Sequence, residues 1–367
     1  LRVEVPQVSE SRPEAPSIRI GKIQNSFLGF ALILLTCTAQ AQQEVSFSVL
    51  GLFHPHELVL KQGDRQVLGI RANGTDASLV LNGEARHRSL IFRAEGDRVV
   101  ASSYATQSWT AAGRGGGPVA FRLEVPGKIH RIYQGRLTLE AHNGELRAVV
   151  GMDRETAVAS IVAAEMEESA PMEALKAQAV VTRSFLAAGP RHEGFEFCDT
   201  THCQFLKSPP AAGSSVAAAV LATQGLVLEY RGKVLAALYS SRCGGQTRSL
   251  RDVGMEPGEG YPYFAERCAW CLKHPMNWQS RIGKGNAPQA GNEGQRIEAA
   301  RQWGWSAVPG SDFSVSEDGD GVILKGHSVG HGVGMCQYGA EGMAAAGIGF
   351  RQILAHYYPN TQLTARP

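Results

Sequence analysis

The sequence predicts an α+β fold: a β-rich N-terminal part, then a helical pair and a curved mixed sheet around a groove. Apolar residues fall at every second position in several short runs within the first 150 residues. Examples are Val45-Ser-Phe-Ser-Val-Leu50, Phe121-Arg-Leu-Glu-Val125 and Arg136-Leu-Thr-Leu-Glu140. That period marks half-buried strands. A helical spacing then takes over, with Met172, Leu175, Ala179, Thr182 and Leu186 on one buried stripe. Glycine, at 42 of 367 residues, suits a turn-rich chain.

In chain order, Arg19 and Lys22 precede the apolar run Phe27–Leu35, and Ala39-Gln-Ala41 follows. These are the three parts of a secretory signal, so cleavage after Ala41 and export are expected. The run is short for a bilayer span. Residues before Arg19 read as an over-extended start. Leu34-Leu-Thr-Cys37 is a second reading, a lipoprotein box, although Thr before the Cys is unusual; the Ala-x-Ala cut discards Cys37. Asn73-Gly74 and Asn82-Gly83 are hairpin signals, and His142-Asn-Gly-Glu145 is a turn. Helices are expected at about 155–166 and 171–187, with Pro171 in the first turn of the second, where a missing N–H costs nothing. A short helix at 215–223, a hairpin at 226–239 and two closing helices at about 335–346 and from Phe350 to Pro359 complete the reading. Residues 283–296 are Gly-rich and polar and read as a surface insertion. The formal charge is +2, with 36 Lys and Arg against 34 Asp and Glu, scattered along the chain. No basic stripe argues for nucleic acid.

Three motifs carry a resemblance. Glu165-Met-Glu-Glu-Ser-Ala-Pro171-Met-Glu-Ala-Leu-Lys-Ala-Gln178-Ala-Val-Val-Thr-Arg183, Gly330-His-Gly-Val-Gly-Met-Cys-Gln-Tyr-Gly-Ala340 and Ile353-Leu-Ala-His-Tyr-Tyr-Pro-Asn-Thr361 occur in this order. They resemble the "EMP…EALKAQAVAARTY", "GHGVGMSQxGA" and "ILxHYYPGT" segments of the sporulation stage II protein D family. Tyr133-Gln-Gly-Arg-Leu137 resembles that family's "YRGxL" strand. Three regions are expected: the start and signal at 1–41, a β-rich module or lobe at 42–130, and a catalytic domain at 131–367, the part that the resemblance covers. It implies a lytic transglycosylase that cuts the MurNAc-β-1,4-GlcNAc bond of peptidoglycan, preferring glycan strands without stem peptides, and leaves 1,6-anhydro ends. Sporulation does not follow, because the signature also occurs in organisms that form no spores.

Glycoside cleavage needs a proton delivered to the leaving oxygen. Most glycosidases use two carboxylates. Where the attacker is the sugar's own C6 hydroxyl, one carboxyl acts first as acid and then as base. Glu165, at the end of an apolar helix, is the matching acid, and burial there would raise its pKa. The plain alternative is a surface acid in a Glu-rich turn with Glu167 and Glu168. Gln178 and Arg183 are candidates for sugar hydroxyls or a muramyl carboxylate, or else an exposed helix face. His331, Gln337 and Tyr338 lie on a backbone that Gly330, Gly332 and Gly334 open to close approach. Ser240, in Tyr239-Ser-Ser-Arg-Cys243-Gly-Gly245, occupies a position where the family commonly has His; Cys336 stands where it has Ser.

His192, Cys198, His202 and Cys203 form a compact set of zinc-type ligands, and some members of the family carry zinc in this loop. A Cys198–Cys203 disulfide is the open rival, and either role is structural. Cys268-Ala-Trp-Cys271 leaves pairing with each other, with Cys243 or with Cys203 undecided. Two rival functions remain: a non-catalytic peptidoglycan-binding module that enhances a cell-wall amidase, and a cysteine peptidase using Cys336 and His331.

Overall fold

A computed structural model describes residues 44–63, 66–74, 78–81, 89–256, 260–283 and 287–366, all within the compact unit Ala41–Pro367. The start and signal segment, Cys37 and the Asn82-Gly83 turn lie outside the described residues. The fold is α+β, with seven α-helices among the described residues and a large, strongly curled sheet of twelve strands.

The sheet's spine is Val119–Val125, Ile129–His142, Glu145–Asp153 and Glu44–Val49, each antiparallel to the next. Alternate residues are buried along these strands, as the two-residue pleat requires. Ile129–His142 pairs with Val119–Val125 through its first half and with Ser108–Ala112 through its second, so the sheet bends around this one strand. Residues on both sides of position 130 therefore share one sheet. Its turn into Glu145–Asp153 has Asn143 and Gly144 both at positive φ, 51° and 82°, the demand that an Asn-Gly pair meets. Phe47, Phe92, Trp109, Phe121 and Tyr133 fill the core behind it.

The helices are α1 (Arg154–Glu165), α2 (Met172–Ala187), α3 (Ser215–Ala222), α4 (Ala269–Lys273), α5 (Glu293–Trp303), α6 (Gln337–Ala345) and α7 (Phe350–Tyr357). α1 follows its strand without a loop because Asp153 caps it, the Oδ1 accepting from Thr156 N at 3.1 Å. α2 starts at Met172, one residue later than expected, with Pro171 as its N-cap rather than in its first turn. Nor is it striped. Ala174 to Leu186 are buried apart from Lys176, while Met172 at the start is exposed. α1, α3, α6, α7 and the strand Leu226–Tyr230 surround it.

A helix buried on all sides must satisfy its polar side chains internally. Ser184 Oγ donates to Val180 O at 2.6 Å and accepts from Leu228 N at 2.9 Å. Arg183, expected at an exposed or sugar-binding face, is 1% exposed. Its guanidinium donates to both carboxylate oxygens of Glu155 at 2.6 and 2.7 Å, and to the carbonyls of Leu226 and Val220 at 3.1 and 3.4 Å. It binds α1, α2, α3 and a strand together and has no face for a ligand.

A smaller apolar cluster, with Ile282, Ala299, Val308, Phe313 and Leu324, joins α5 to the three strands Trp278–Gly283, Phe313–Asp318 and Gly321–Gly326. The stretch 283–296, read above as a surface insertion, therefore opens a helix in its later part. Glu293 and Arg296 are buried there, paired by two hydrogen bonds of 2.7 Å. The small Ala299 and Ala300 mark α5's inner face too faintly for a periodicity reading.

Removing Arg183 strands Glu155 beside an unfilled core position. Arg183→Ala is expected to lose about 3–5 kcal/mol of stability in urea unfolding, the cost of breaking a buried pair. Arg183→Lys should recover only part, because an ammonium cannot hold both carboxylate oxygens in a fork. A loss within 0.5 kcal/mol, as is common at surface positions, would contradict this role.

Candidate functional site

Glu165 ends α1 and is half-buried, while Glu167 and Glu168 beyond it are exposed. Burial pushes its carboxyl above the usual range. Hydrogen bonds from Gln337 and Tyr239, and the charge of Lys207, pull the other way without cancelling the rise. The charge that registers on Glu165 is thus a lysine's, not a second carboxylate's.

Gln337 opens α6 and is 7% exposed. Its Nε2 donates to the Glu165 carbonyl at 3.4 Å and to Gln178 Oε1 at 3.3 Å. Gln178 is fully buried and in turn donates to Thr182 Oγ1 at 3.3 Å. Gln178 therefore orients Gln337 and lies too deep to meet a ligand itself. The 330–340 bend and the end of α1, 172 residues apart for this contact, are neighbours in space.

Tyr239 and Gln204 were not anticipated. Tyr239 OH donates to Gln204 Oε1 at 2.6 Å and also lies within hydrogen-bonding reach of the Glu165 carboxyl. The Tyr239-Ser-Ser motif was visible in sequence, but Gln204 carried no signal beyond its place after Cys203.

His331 Nδ1 accepts from Val333 N at 3.0 Å, so its proton sits on Nε2, which reaches the backbone of Tyr239. Burial lowers its pKa and keeps the ring neutral. His331 therefore staples the bend to the Tyr239 strand. Ser240 is buried against Gly330, and its Oγ has no hydrogen-bond partner. Gly334, at φ 75°, lies so close to the Leu238 carbonyl that a Cβ would collide with it. Tyr338 is half-buried, with the Arg242 guanidinium stacked over its ring, 3.4 Å from its centroid.

Cys336 is fully buried and its Sγ is 3.6 Å from that of Cys271. A nucleophile must reach its substrate, so the peptidase reading with His331 finds no support in this geometry.

His192, Cys198, His202 and Cys203 come together, their ligand atoms all within 4.8 Å of one another. His192 Nε2 lies 3.2 Å from Cys203 Sγ. His202 Nδ1 lies 3.4 Å from Cys203 Sγ and 3.9 Å from Cys198 Sγ. A tetrahedral zinc with Zn–S near 2.3 Å and Zn–N near 2.0–2.1 Å sets such N–S edges at roughly 3.6 Å. The donor set fits that ion, and the two thiols are not joined as a disulfide.

The arrangement is a partly dry acid on a helix end, with the Gln337 amide and the Tyr239 phenol beside it and a glycine-rich bend nearby. Residues 142–230 match the SpoIID family, described as Stage II sporulation protein. An uncharacterized protein of Brachyspira hyodysenteriae is 29% identical over 262 residues, 62% of this chain and 70% of that one. Stage II sporulation protein D of Bacillus subtilis is 26% identical over 264 residues, 59% and 76% of the two chains. The amidase enhancer of Bacillus subtilis is 25% identical over 287 residues, covering 56% of this chain and 40% of that protein. Along these residues the chain is similar to the stage II sporulation protein D family.

Burial of an ionisable acid has a measurable cost. The raised pKa of Glu165 means its stabilising contribution is present below the ordinary Glu value of about 4.3 and is lost as pH rises through the folded-state pKa. Glu165→Gln should therefore be more stable than the parent at pH 8, and the gain should vanish near pH 4 in parallel thermal melts. A pH-independent difference would argue against a buried carboxyl here.

Proposed function

We propose that this protein is a lytic transglycosylase acting on peptidoglycan glycan strands, with Glu165 as both acid and base. The observation that carries this reading is the environment of Glu165, a carboxyl at a helix end raised by burial and met by the Gln337 amide and the Tyr239 phenol. A pair of carboxylates about 5–9.5 Å apart is what hydrolysing glycosidases need. In the proposed reaction Glu165 gives its proton to the glycosidic oxygen as the C1–O bond breaks, releasing the GlcNAc hydroxyl. Its carboxylate then takes the proton of the muramyl C6 hydroxyl as O6 closes onto C1. The product is a 1,6-anhydro end, and Glu165 regains its proton. Tyr338 with Arg242 offers a flat, cationic face for a sugar ring and its lactyl carboxylate.

Zinc held by His192, Cys198, His202 and Cys203 belongs to this proposal as a structural ion. A four-ligand site leaves no position for substrate. Gln204, directly after Cys203, carries that rigidity to Tyr239. Export to the cell envelope fits the segment 1–41 and the glycan substrate. No helix among the described residues is long and apolar enough to cross a membrane. The similarity to an amidase enhancer supports a second reading, a glycan-binding module that stimulates a cell-wall amidase without cutting.

Digestion of denuded glycan strands followed by mass spectrometry separates these. Anhydromuramyl ends from the parent, reduced at least 10²-fold in Glu165→Gln, are expected for a general acid. Water-derived reducing ends, or undiminished cutting by the variant, would reject the mechanism. Binding to sacculi with no product from either protein would favour the enhancer.

Tyr239 draws the Glu165 pKa down, so Tyr239→Phe should let it rise further. The alkaline limb of the pH–rate profile should move to higher pH. A limb that stays in place, or moves down, would separate Tyr239 from the acid.

A further inference from the structure

Four cysteines outside the His192–Cys203 loop converge beneath the 330–340 bend. Cys243, Cys268, Cys271 and Cys336 are all buried, and their Sγ atoms all lie within 4.8 Å of one another. They come from three segments spread over 93 residues. We propose that these four thiols bind a second Zn²⁺ as a structural tetrahedral site.

Four observations support a metal rather than a packing of buried thiols. The first is shape. Zn–S bonds of about 2.3 Å place tetrahedral sulfurs roughly 3.8 Å apart, and Cys271 Sγ lies 3.6 Å from Cys336 Sγ. The second is the ligand pattern. Cys268 and Cys271 are a Cys-x-x-Cys pair at the start of a short helix, met by single cysteines from two other segments, a common zinc-ligand arrangement. The third is the set of donors around the sulfurs. Cys336 Sγ accepts from Gly339 N at 3.3 Å and from Cys243 N at 3.4 Å, and Tyr357 OH lies 3.6 Å from Cys268 Sγ. Four thiolates around one Zn²⁺ leave two negative charges, and such donors offset charge of that kind. The fourth is that no two of the four are joined, so all the sulfurs remain available.

Binding releases the thiol protons to solvent, and no oxidant or reductant is required. The site explains why a cysteine stands at position 336. Cys336 pairs with Ser240 across a parallel bridge and immediately precedes Gln337. Gly339 is needed on the same turn because a Cβ there would collide with Tyr357 OH and the Cys268 sulfur. A metal at this point locks the first turn of α6, and with it the amide that reaches Glu165.

The test reads metal content, not glycan cutting, so its result is independent of the proposed reaction. The full chain is purified with its metal, and zinc is measured in the His192→Ala/Cys203→Ser double variant, which lacks the other ligand set. One zinc per chain with a four-sulfur shell near 2.3 Å by X-ray absorption is expected. Adding Cys271→Ser should abolish that zinc. The parent, should the variants fail to fold, provides its own reading. Two zinc ions per chain with an averaged shell of three sulfurs and one nitrogen support the proposal; one zinc with two sulfurs and two nitrogens overturns it. Alkylation of the unreduced, denatured parent gives a further check. Disulfides among Cys243, Cys268, Cys271 and Cys336, or iron in place of zinc, would also overturn it.

Discussion

The guanidinium of Arg183 sets the geometry on which the site depends. α2 is buried along nearly its whole length, so a charged group inside it is tolerable only if it is paired and fully hydrogen-bonded. Glu155, in the first turn of α1, meets it with both oxygens. That contact fixes α1 in rotation and in register against α2. Glu165 lies ten residues further along the same rigid helix, about 15 Å away at 1.5 Å per residue. The position of the acid is therefore decided at the opposite end of its helix, by an ion pair that never touches a ligand.

Much of the framework could be read directly from the chain. Strand alternation, the Asn143-Gly144 turn and Pro171 each act through neighbouring residues, and each appears in the structure where local physics places it, Pro171 to within one residue. What the sequence hid depends on separation. Gln178 and Arg183 look like the wet face of an amphipathic helix, because polarity alone does not tell an exposed face from an internally satisfied one. Their partners, Gln337 and Glu155, lie 159 and 28 residues away. Tyr239 and Gln204 are 35 residues apart and gain their role only by converging on Glu165. The Cys268-x-x-Cys271 pair was visible, but its completion by Cys243 and Cys336 requires the fold. The family motifs marked two segments that meet at Glu165 without saying which of their side chains are buried and hold the backbone.

The choice of neighbours around Glu165 follows from its proton. In the proposed reaction the acid must be protonated when it meets its substrate, and such an acid tolerates hydrogen-bond donors better than close cations. An Arg or Lys in contact would lower the pKa by 1–3 units and leave a carboxylate. Here the groups in contact are the neutral amide of Gln337 and the phenol of Tyr239, while Lys207 is exposed and exerts the weakest of the named effects. Neutral donors hold more weakly than charged ones, so they need stiff supports. Each is braced from beneath a cysteine: Gln204, which holds Tyr239, follows Cys203, and Gln337 follows Cys336. Two clusters of soft ligands therefore flank the acid, each one residue from an amide that orients it. With the two proposed zinc sites filled, the rigidity would sit in thiol clusters behind the amides rather than in ion pairs beside the carboxyl, which would fix the acid without ionising it.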